Sequence, residues 1–283
     1  MTGSALARLP RAFLRNPNLA IGTTLITLLV GAALLSLVWT PLSPSKMQIV
    51  QKLKPPLAFG LLGTDQFGRD LLSRLMVGAW NSLSTSAAAV FLGGTVGSIL
   101  GMAAAARRGW LEAVIMRIND VVFAIPPILS AMMLGALMGG GRLTAIIAIA
   151  VFMIPVFARV TASASSQIWS RDYILAARGA GKGKVLITVE HVLPNISNQI
   201  IVQATIQLGL AILTEAGLSF LGLGMAPPAP TWGRMLAEAQ TYLGPAPWLA
   251  ILPGLAIALT VFGFNMLGDG LRDLLDPKGK GRA

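Results

Sequence analysis

The sequence contains no cysteine and a single histidine, His191, and only 12% of its 283 residues are charged. Without cysteine the chain can form neither a disulfide nor a thiolate metal site. A metal centre needs several converging ligands, so we expect none in this chain. The scarcity of charge leaves too little polar surface for a water-soluble domain. With 54% hydrophobic residues and a mean hydropathy of +0.72, the composition indicates a membrane protein.

Several apolar stretches are long enough to cross a bilayer as a helix, which takes about 20 residues. Backbone groups within lipid must pair internally, so we predict an all-α membrane protein with six transmembrane helices. The first stretch has no small-residue cleavage site after it and is longer than a signal-peptide core, so we interpret it as a retained anchor. The second is rich in Gly, Ala and Ser, which favour close helix packing. The predicted spans are 19–39, 81–106, 113–138, 143–163, 196–220 and 249–268.

The positions of lysine and arginine predict the orientation. If both termini are cytoplasmic, most of the 22 Lys and Arg residues lie in inner segments, as the positive-inside rule requires. The net charge of +11 then follows from topology, and because no aromatic residues interleave with the basic ones we expect no nucleic-acid partner. The predicted order is a cytoplasmic tail 1–18, a first transmembrane helix 19–39, an outer segment with an amphipathic helix 40–80, a five-helix core 81–268 and a cytoplasmic tail 269–283.

A long polar loop, 164–195, separates the fourth and fifth predicted spans and contains "RDYILAARGAGKGKVLITVEHVLPN". Its length is too great for a simple connection, so we expect it to have structure and a partner. Ser170 can cap a helix, the glycines after it can end that helix, and a second short helix would end or kink at Pro194. The "GAGKGK" letters do not form a phosphate loop, because neither lysine is followed by Ser or Thr at the required spacing.

The same loop resembles the cytoplasmic signature loop of bacterial ABC importer permeases. The matching residues are Ala176, Ala177, Gly181, Leu193 and Pro194. Two positions depart from the pattern, since Leu175 replaces the usual glutamate and His191 an aliphatic residue. The resemblance implies that the loop is a coupling helix seated in a groove of an ATPase subunit. The residues expected to couple are Ala176, Ala177, Gly181, Lys182, Val185, His191, Leu193 and Pro194.

Three further stretches narrow the resemblance to the dipeptide, oligopeptide and nickel branch. They are "LLGTDQFGRDLLSRLMVGAWNSL", "EAGLSFLGLGMAPPAPTWGRML" and "NMLGDGLRDLLDP", and the chain most resembles the second, C-type permease of the pair. The resemblance implies a type I ABC importer permease fold with its coupling helix between helices 4 and 5. It implies a heterodimer with a homologous B-type permease, two ATPase subunits that bind ATP and Mg²⁺, an extracytoplasmic solute-binding protein, and no cofactor or catalytic residue in this chain. It places the chain in the bacterial cytoplasmic (inner) membrane and favours peptides as solute, with nickel or another small solute as the alternative.

Two outer segments are expected to form the periplasmic mouth. Asp65 with Arg69, and Asp70 with Arg74, are acid–base pairs four residues apart that can support a helix. That helix either lies on the outer membrane surface for structural reasons or contacts a solute-delivery protein or the partner permease. In the second segment Thr231 can cap a short helix in which Arg234 pairs with Glu238. The expected mouth residues are Asp65, Arg69, Asp70, Arg74, Trp232 and Arg234.

Polar residues inside the spans are candidate pathway residues, because they are expensive to place in lipid. Gln199, Gln203, Gln207 and Glu215 lie along one slowly drifting face of the fifth span and suit a wet pathway. The alternative is hydrogen bonding between packed helices. Asn119, Asp120 and Asn265 support the same argument more weakly. A second function class, a self-sufficient secondary transporter or membrane enzyme, is disfavoured because six spans are few and no catalytic pair stands at motif spacing.

Overall fold

The computed structural model describes residues 16–275, and every regular element within that range is helical. The predicted tail 1–18 therefore lies almost wholly outside the described residues, as does 276–283 of the predicted tail 269–283. One isolated antiparallel bridge joins Thr64 to Asp70. The helices are α1 Pro17–Leu35, α2 Leu71–Ala106, α3 Trp110–Ala124, α4 Pro127–Met138, α5 Arg142–Trp169, α6 Asp172–Gly179, α7 Lys184–Phe220, α8 Trp232–Ala239 and α9 Trp248–Leu275.

Five of these helices, α1, α2, α5, α7 and α9, are long and apolar enough to cross a membrane. A sixth span exists if α3 and α4 are counted as one broken span, since they meet at 88°. The prediction of one uninterrupted span over 113–138 is wrong in this respect. Ile125 precedes the first of two prolines and is extended, with φ −92° and ψ 123°. A proline ring sterically disfavours the helical conformation of the residue before it, so the helix ends at Ala124 and Ile125 is extended.

The start of the second span was predicted wrongly. Rather than beginning at 81 after a separate amphipathic helix, α2 begins at Leu71 and continues without interruption to Ala106. Asp70 caps it, accepting a hydrogen bond of 2.8 Å from the Ser73 backbone N–H. Residues 40–70 contain only one short 3-10 turn, Ile49–Gln51. No proline or helix-breaking turn separates 71–80 from the apolar run after it, so the two stretches fold as one helix.

The packing of α2 against α5 depends on four glycines of α2: Gly93, Gly94, Gly97 and Gly101. A Cβ atom added at Gly93 would lie 2.5 Å from the Ala150 carbonyl oxygen, and one at Gly97 would overlap the carbonyl of Ile154. The two backbones therefore lie in direct contact, as small residues allow in membrane helices. The packing role predicted for the second span is confirmed.

Replacing Gly97 with leucine is expected to destabilise the bundle, because the backbone of α5 cannot move away without disrupting the whole α2–α5 contact. Overpacking a tight interior costs about 1–3 kcal/mol. We expect a lower thermal unfolding midpoint in detergent for Gly97→Leu. Gly31 of α1 is the matched control, since a Cβ there meets nothing within 4 Å. Equal midpoints for Gly97→Leu and Gly31→Leu would contradict the packing assignment.

The first and last helices pack together and close one side of the bundle. A Cβ at Gly270 would lie 2.6 Å from the backbone nitrogen of Leu19. Asn16 caps α1 and donates a 3.2 Å hydrogen bond to Asp273. Helix α9 therefore extends past the predicted span end at 268 to Leu275, because its last turns pack against the start of α1. The predicted first span, 19–39, is likewise shifted to Pro17–Leu35.

Candidate functional site

The polar loop between the fourth and fifth spans forms the short helix α6 followed by a tight turn. At its end the Lys182 N–H donates to the Ala177 carbonyl at 3.1 Å, and the Gly181 N–H to the Arg178 carbonyl at 2.9 Å. This hydrogen-bond pattern is a Schellman motif, which needs a residue in the left-handed region after the helix. Gly181 supplies it, with φ +83°. The motif glycine is therefore required by backbone conformation.

One side of α6 is held against the adjoining ends of α2, α5 and α7. Ile174 and Ala177 are buried with Trp169 in a shared apolar cluster. The Arg178 guanidinium lies 5.0 Å from the centroid of the Trp169 ring, over its face. Because these contacts involve three spans, α6 is anchored to the bundle and cannot swing as a loop. The other members of the cluster are Ala105, Ala164, Ile187, Val192 and Ile196.

The other side of α6 and the start of α7 leave apolar side chains in the open. We call this surface the α6–α7 apolar patch. Val185, at 75% exposure, is its most exposed member, and a shallow pocket beside it is bordered by Arg107 and Lys184. Exposed apolar patches of this kind mark surfaces that meet a partner. The patch comprises Tyr173, Leu175, Val185, Leu186 and Val189.

The second half of the loop starts a helix at Lys184, as predicted. Of the two predicted outcomes at Pro194, an end or a kink, the end is wrong, because the helix continues into the fifth span as α7. A π-helical turn, Thr188–Val192, precedes the proline. Proline lacks an N–H and its ring clashes with the carbonyl four residues earlier, and the wider π turn accommodates both. Ser170 does not cap α6 as predicted; its hydroxyl donates to the Gln167 carbonyl instead.

The remaining coupling candidates lie around this turn. Lys182 forms an ion pair with Glu190 of the π turn, and the ring of His191 meets Tyr173 edge-on at 6.2 Å. The predicted coupling residues are thus brought to one end of the bundle. Their orientations differ, since Ala177 faces the helices while Ala176 is exposed.

Several of the predicted mouth residues form an ion cluster, largely buried, at the opposite end of the bundle. Arg69 Nε lies 2.6 Å from Asp65 Oδ2, so that predicted contact forms, although the two residues lie before α2 and not within a helix as predicted. Arg74 does not pair with Asp70; its Nη2 lies 2.9 Å from Glu238 Oε2, and its Nε 3.4 Å from Asp65 Oδ2. Asp70 instead caps α2. The cluster joins the segment before α2 to α8, so its charges hold the outer segments together.

The short outer helix α8 begins as predicted. Thr231 accepts a 3.2 Å hydrogen bond from the Arg234 N–H, and Arg234 pairs with Glu238 at 3.2 Å. Trp232 is not a mouth residue on the surface, since it is buried and its indole N–H donates to the Leu75 carbonyl at 3.1 Å. The sequence analysis missed the wider role of Glu238, whose long-range partners no local spacing indicates.

The polar stripe of the fifth span does not form one open face. Gln199 is exposed and Gln203 half-buried, but Gln207 and Glu215 are buried. Each four-residue step turns the helix about 40° further round, so the later members rotate into the bundle. The carboxylate of Glu215 accepts a 2.6 Å hydrogen bond from the Ser219 hydroxyl. At these two positions the geometry fits the packing alternative better than an open pathway.

One charged pair lies within the spans, and the sequence analysis singled out only its acidic member, Asp120. Asp120 of α3 contacts Arg159 of α5, with Oδ1 and Nη2 2.6 Å apart. The neighbouring Asn119 is buried. A charge in each of two spans was the available signal, but their contact depends on how α3 and α5 pack.

Comparison with known proteins places the chain among transport components. The family model of the binding-protein-dependent transport system inner membrane component matches residues 93–280. The chain is 47% identical over 219 residues to the glutathione transport system permease protein GsiD of Escherichia coli O6:K15:H31, covering 77% of this chain and 72% of that protein. It is 45% identical over 217 residues to the GsiD of Pectobacterium atrosepticum, with the same coverage.

A solved structure supports the fold. An inward-facing conformation of the MetNI methionine ABC transporter matches with a TM-score of 0.60 and 21% sequence identity, covering 70% of this chain and 95% of that chain. At that identity the likeness shows the type I importer permease fold and no more. The family match and the close relatives confirm the resemblance found in the sequence. The chain belongs to the family of binding-protein-dependent transport system inner membrane components, the multi-pass permease subunits of ABC importers, whose ATPase is carried on separate subunits.

Proposed function

We propose that this permease forms a heterodimer with a homologous B-type permease and conducts peptides into the cytoplasm. Two ATPase subunits bind ATP and Mg²⁺ and dock on the α6–α7 apolar patch, which faces the cytoplasm, and a binding protein delivers the solute from outside. Both termini are then cytoplasmic. This chain binds no cofactor and carries no catalytic residue, so it converts ATPase movement into a change of access.

The observation that carries the proposal is the geometry of α6. Its buried side contacts three spans through one apolar cluster, while its other side contributes to an exposed apolar patch. A helix held rigidly on one side and open on the other can pass a displacement of a docked ATPase to the spans. The peptide assignment is supported by the GsiD relatives, which are named for the transport of glutathione, a tripeptide.

The first test is a pull-down of the tagged chain from its native membrane in mild detergent, with partners identified by mass spectrometry and ATPase activity measured. We expect a second permease, ATPases and a binding protein. The captured binding protein is then screened against dipeptides, longer peptides, glutathione and nickel complexes. Isolation of the chain alone, without ATPase activity, would contradict the proposed assembly. Binding of nickel in place of peptides would overturn the solute assignment alone.

Replacing Val185 with aspartate is expected to weaken retention of the ATPases about tenfold. Docking would bury an unpaired carboxylate, which costs more than the 1.4 kcal/mol that corresponds to tenfold in affinity. Val185 is so exposed that folding should be unaffected. Val185→Thr keeps the shape without the charge and is the control, for which we expect a small change. Equal ATPase recovery for both variants would contradict docking at this patch.

A further inference from the structure

The ion pair between Asp120 and Arg159 lies inside the membrane-spanning part of the molecule. Asp120 belongs to α3, which begins at Trp110, and Arg159 to α5, which ends at Trp169. At 1.5 Å per residue each charge lies about 15 Å along its helix from that end. Both helix ends lie on the side that carries α6. The two charges therefore stand at similar depth, well within the spans.

These two side chains are unusually open for charges at this depth. Half of each remains exposed, with side-chain exposures of 50% for Asp120 and 51% for Arg159. Arg74 of the outer ion cluster, by contrast, is 2% exposed and enclosed by its partners. Half-exposed charges facing lipid would be expensive, and charged residues in spans therefore face water or protein. The surface that carries this pair is for that reason not a lipid-facing surface.

Arg159 is held in place by its neighbours, but most of its N–H donors are not used in hydrogen bonds to the described residues. Within residues 16–275 its guanidinium makes one hydrogen bond, to Asp120. Its central carbon lies 4.6 Å from the centroid of the Phe123 ring, which in turn meets Phe152 edge-on at 5.8 Å. A guanidinium offers five N–H donors in a fork that matches a carboxylate. Arg159 is thus a fixed cation able to bind an anionic group.

A polar stripe leads from this pair towards the cytoplasmic end of α5. Ser163 and Gln167 follow Arg159 at four-residue intervals, and all three side chains are exposed. Residues four apart lie on the same face of a helix. This face carries polar side chains, whereas a helix face in contact with lipid would carry apolar ones. It suits a surface wetted by water between Arg159 and the cytoplasm.

We propose that Asp120 and Arg159 line the water-filled passage of the assembled importer and contact a solute that carries charges of both signs. Arg159 binds the carboxylate of the passing solute and Asp120 its ammonium group, each exchanging one ion-pair partner for another. The inference rests on the proposed function for the solute, because a peptide carries both charges. The wetted surface itself does not depend on which solute is carried.

The chain has no cysteine, so a single introduced thiol reports on one position. Ser163→Cys places a thiol of similar size one turn from Arg159. The complete importer, reconstituted in vesicles after co-purification has shown its assembly, is treated with two hydrophilic methanethiosulfonate reagents, one anionic and one cationic. Labelling is read on this chain after separation from its partners. Ser165→Cys, on the buried side of α5, and Leu28→Cys, on the outward side of α1, are the controls.

We expect the thiol at 163 to react with both reagents, and several times faster with the anionic one. Arg159→Gln in the same background should remove that preference. If the thiol at 163 is no more reactive than those at 165 and 28, the face is covered by lipid or by the partner permease, and the proposal is overturned. An accessible thiol whose preference is unchanged by Arg159→Gln would overturn the contact of Arg159 with anionic solutes.

This experiment separates the inference from the proposed function. It needs no knowledge of the solute, so discovery that the binding protein carries a metal complex would overturn the peptide assignment while leaving the accessibility result intact. In the converse case, peptide transport would be observed while the thiol at 163 does not react. The proposed function would then stand, and this face would not line the passage. The two failures therefore give different results.

Discussion

Replacing Gly181 with valine lowers solute-stimulated ATP hydrolysis by the assembled importer about tenfold. Gly181 adopts φ +83°, and the turn that it makes directs the chain from α6 to α7. A side chain in the left-handed region costs about 1–2 kcal/mol, and more for a β-branched residue. We expect the strain to be relieved by remodelling of the turn, which displaces Val185 of the proposed docking surface. A change of 1.4 kcal/mol corresponds to tenfold in an equilibrium constant.

Gly179, two residues earlier, provides the matched control for this effect. It lies within α6, and a Cβ there would meet nothing within 4 Å, as is also true at Gly181. The two positions thus differ in backbone conformation and not in available space. We expect Gly179→Val to retain most of the stimulated ATPase activity. Equal losses at 179 and 181 would show that crowding at the ATPase, and not the turn, explains the effect.

Leu175 stands where the signature loop that this stretch resembles has glutamate, and it is exposed on the α6–α7 apolar patch. We expect Leu175→Glu to change stimulated ATPase activity less than Gly181→Val does, because it leaves the turn and the buried side of α6 intact. The same ATPase measurement on both variants decides the point. A larger loss for Leu175→Glu would mean that side-chain contacts on the patch, and not the shape of the turn, dominate docking.

Removing the Glu238 carboxylate is the second change with a large expected effect. Glu238→Ala leaves Arg74, which is 2% exposed, without its 2.9 Å partner. Breaking a buried ion pair from one side costs about 3–5 kcal/mol. We expect about 3 kcal/mol here, because Glu238 itself is 24% exposed. The thermal unfolding midpoint of the detergent-solubilised permease measures the loss.

Two further variants test the cause. Arg234→Gln removes the most exposed of the three arginines that contact Glu238. We expect it to cost at most about 1 kcal/mol of stability, as is usual for exposed ion pairs. Adding Arg74→Met to Glu238→Ala removes the buried charge that has lost its nearest carboxylate and should recover much of the stability. No recovery in the double variant would indicate that Glu238 acts through packing and not through the charge of Arg74.

Local sequence signals predicted the local features of the outer segments correctly. Thr231 caps α8, and the pairs Asp65–Arg69 and Arg234–Glu238 form, because each depends on residues three or four apart in one stretch. The same reasoning failed for Arg74. Its partner Glu238 is 164 residues away in sequence, and the spacing to Asp70 predicted a contact that helix capping prevents.

In the loop 164–195, too, local features were predicted and those that depend on distant residues were not. The motif letters identified α6 and the need for Gly181, since a turn after a helix is a local feature. They left open whether the second helix would end or kink at Pro194, because its continuation as α7 depends on a π turn stabilised where Val192 and Ile196 pack in the shared cluster. The polar stripe of the fifth span was predicted as one face, but only the neighbouring helices decide which of its members are enclosed.

The sequence by itself determined the class of this protein, the approximate positions of its apolar spans and its family. Composition requires a membrane, apolar run length requires helices that cross it, and motif order identifies the permease. Tertiary structure alone decided which charges are enclosed and which are open. Arg74 and Arg159 are the same residue type, both within long apolar helices, yet one is enclosed by distant carboxylates and the other remains half-exposed beside Asp120. The reason is physical: burial and solvation of a charge depend on what other helices place around it, and that arrangement is set by packing across the bundle.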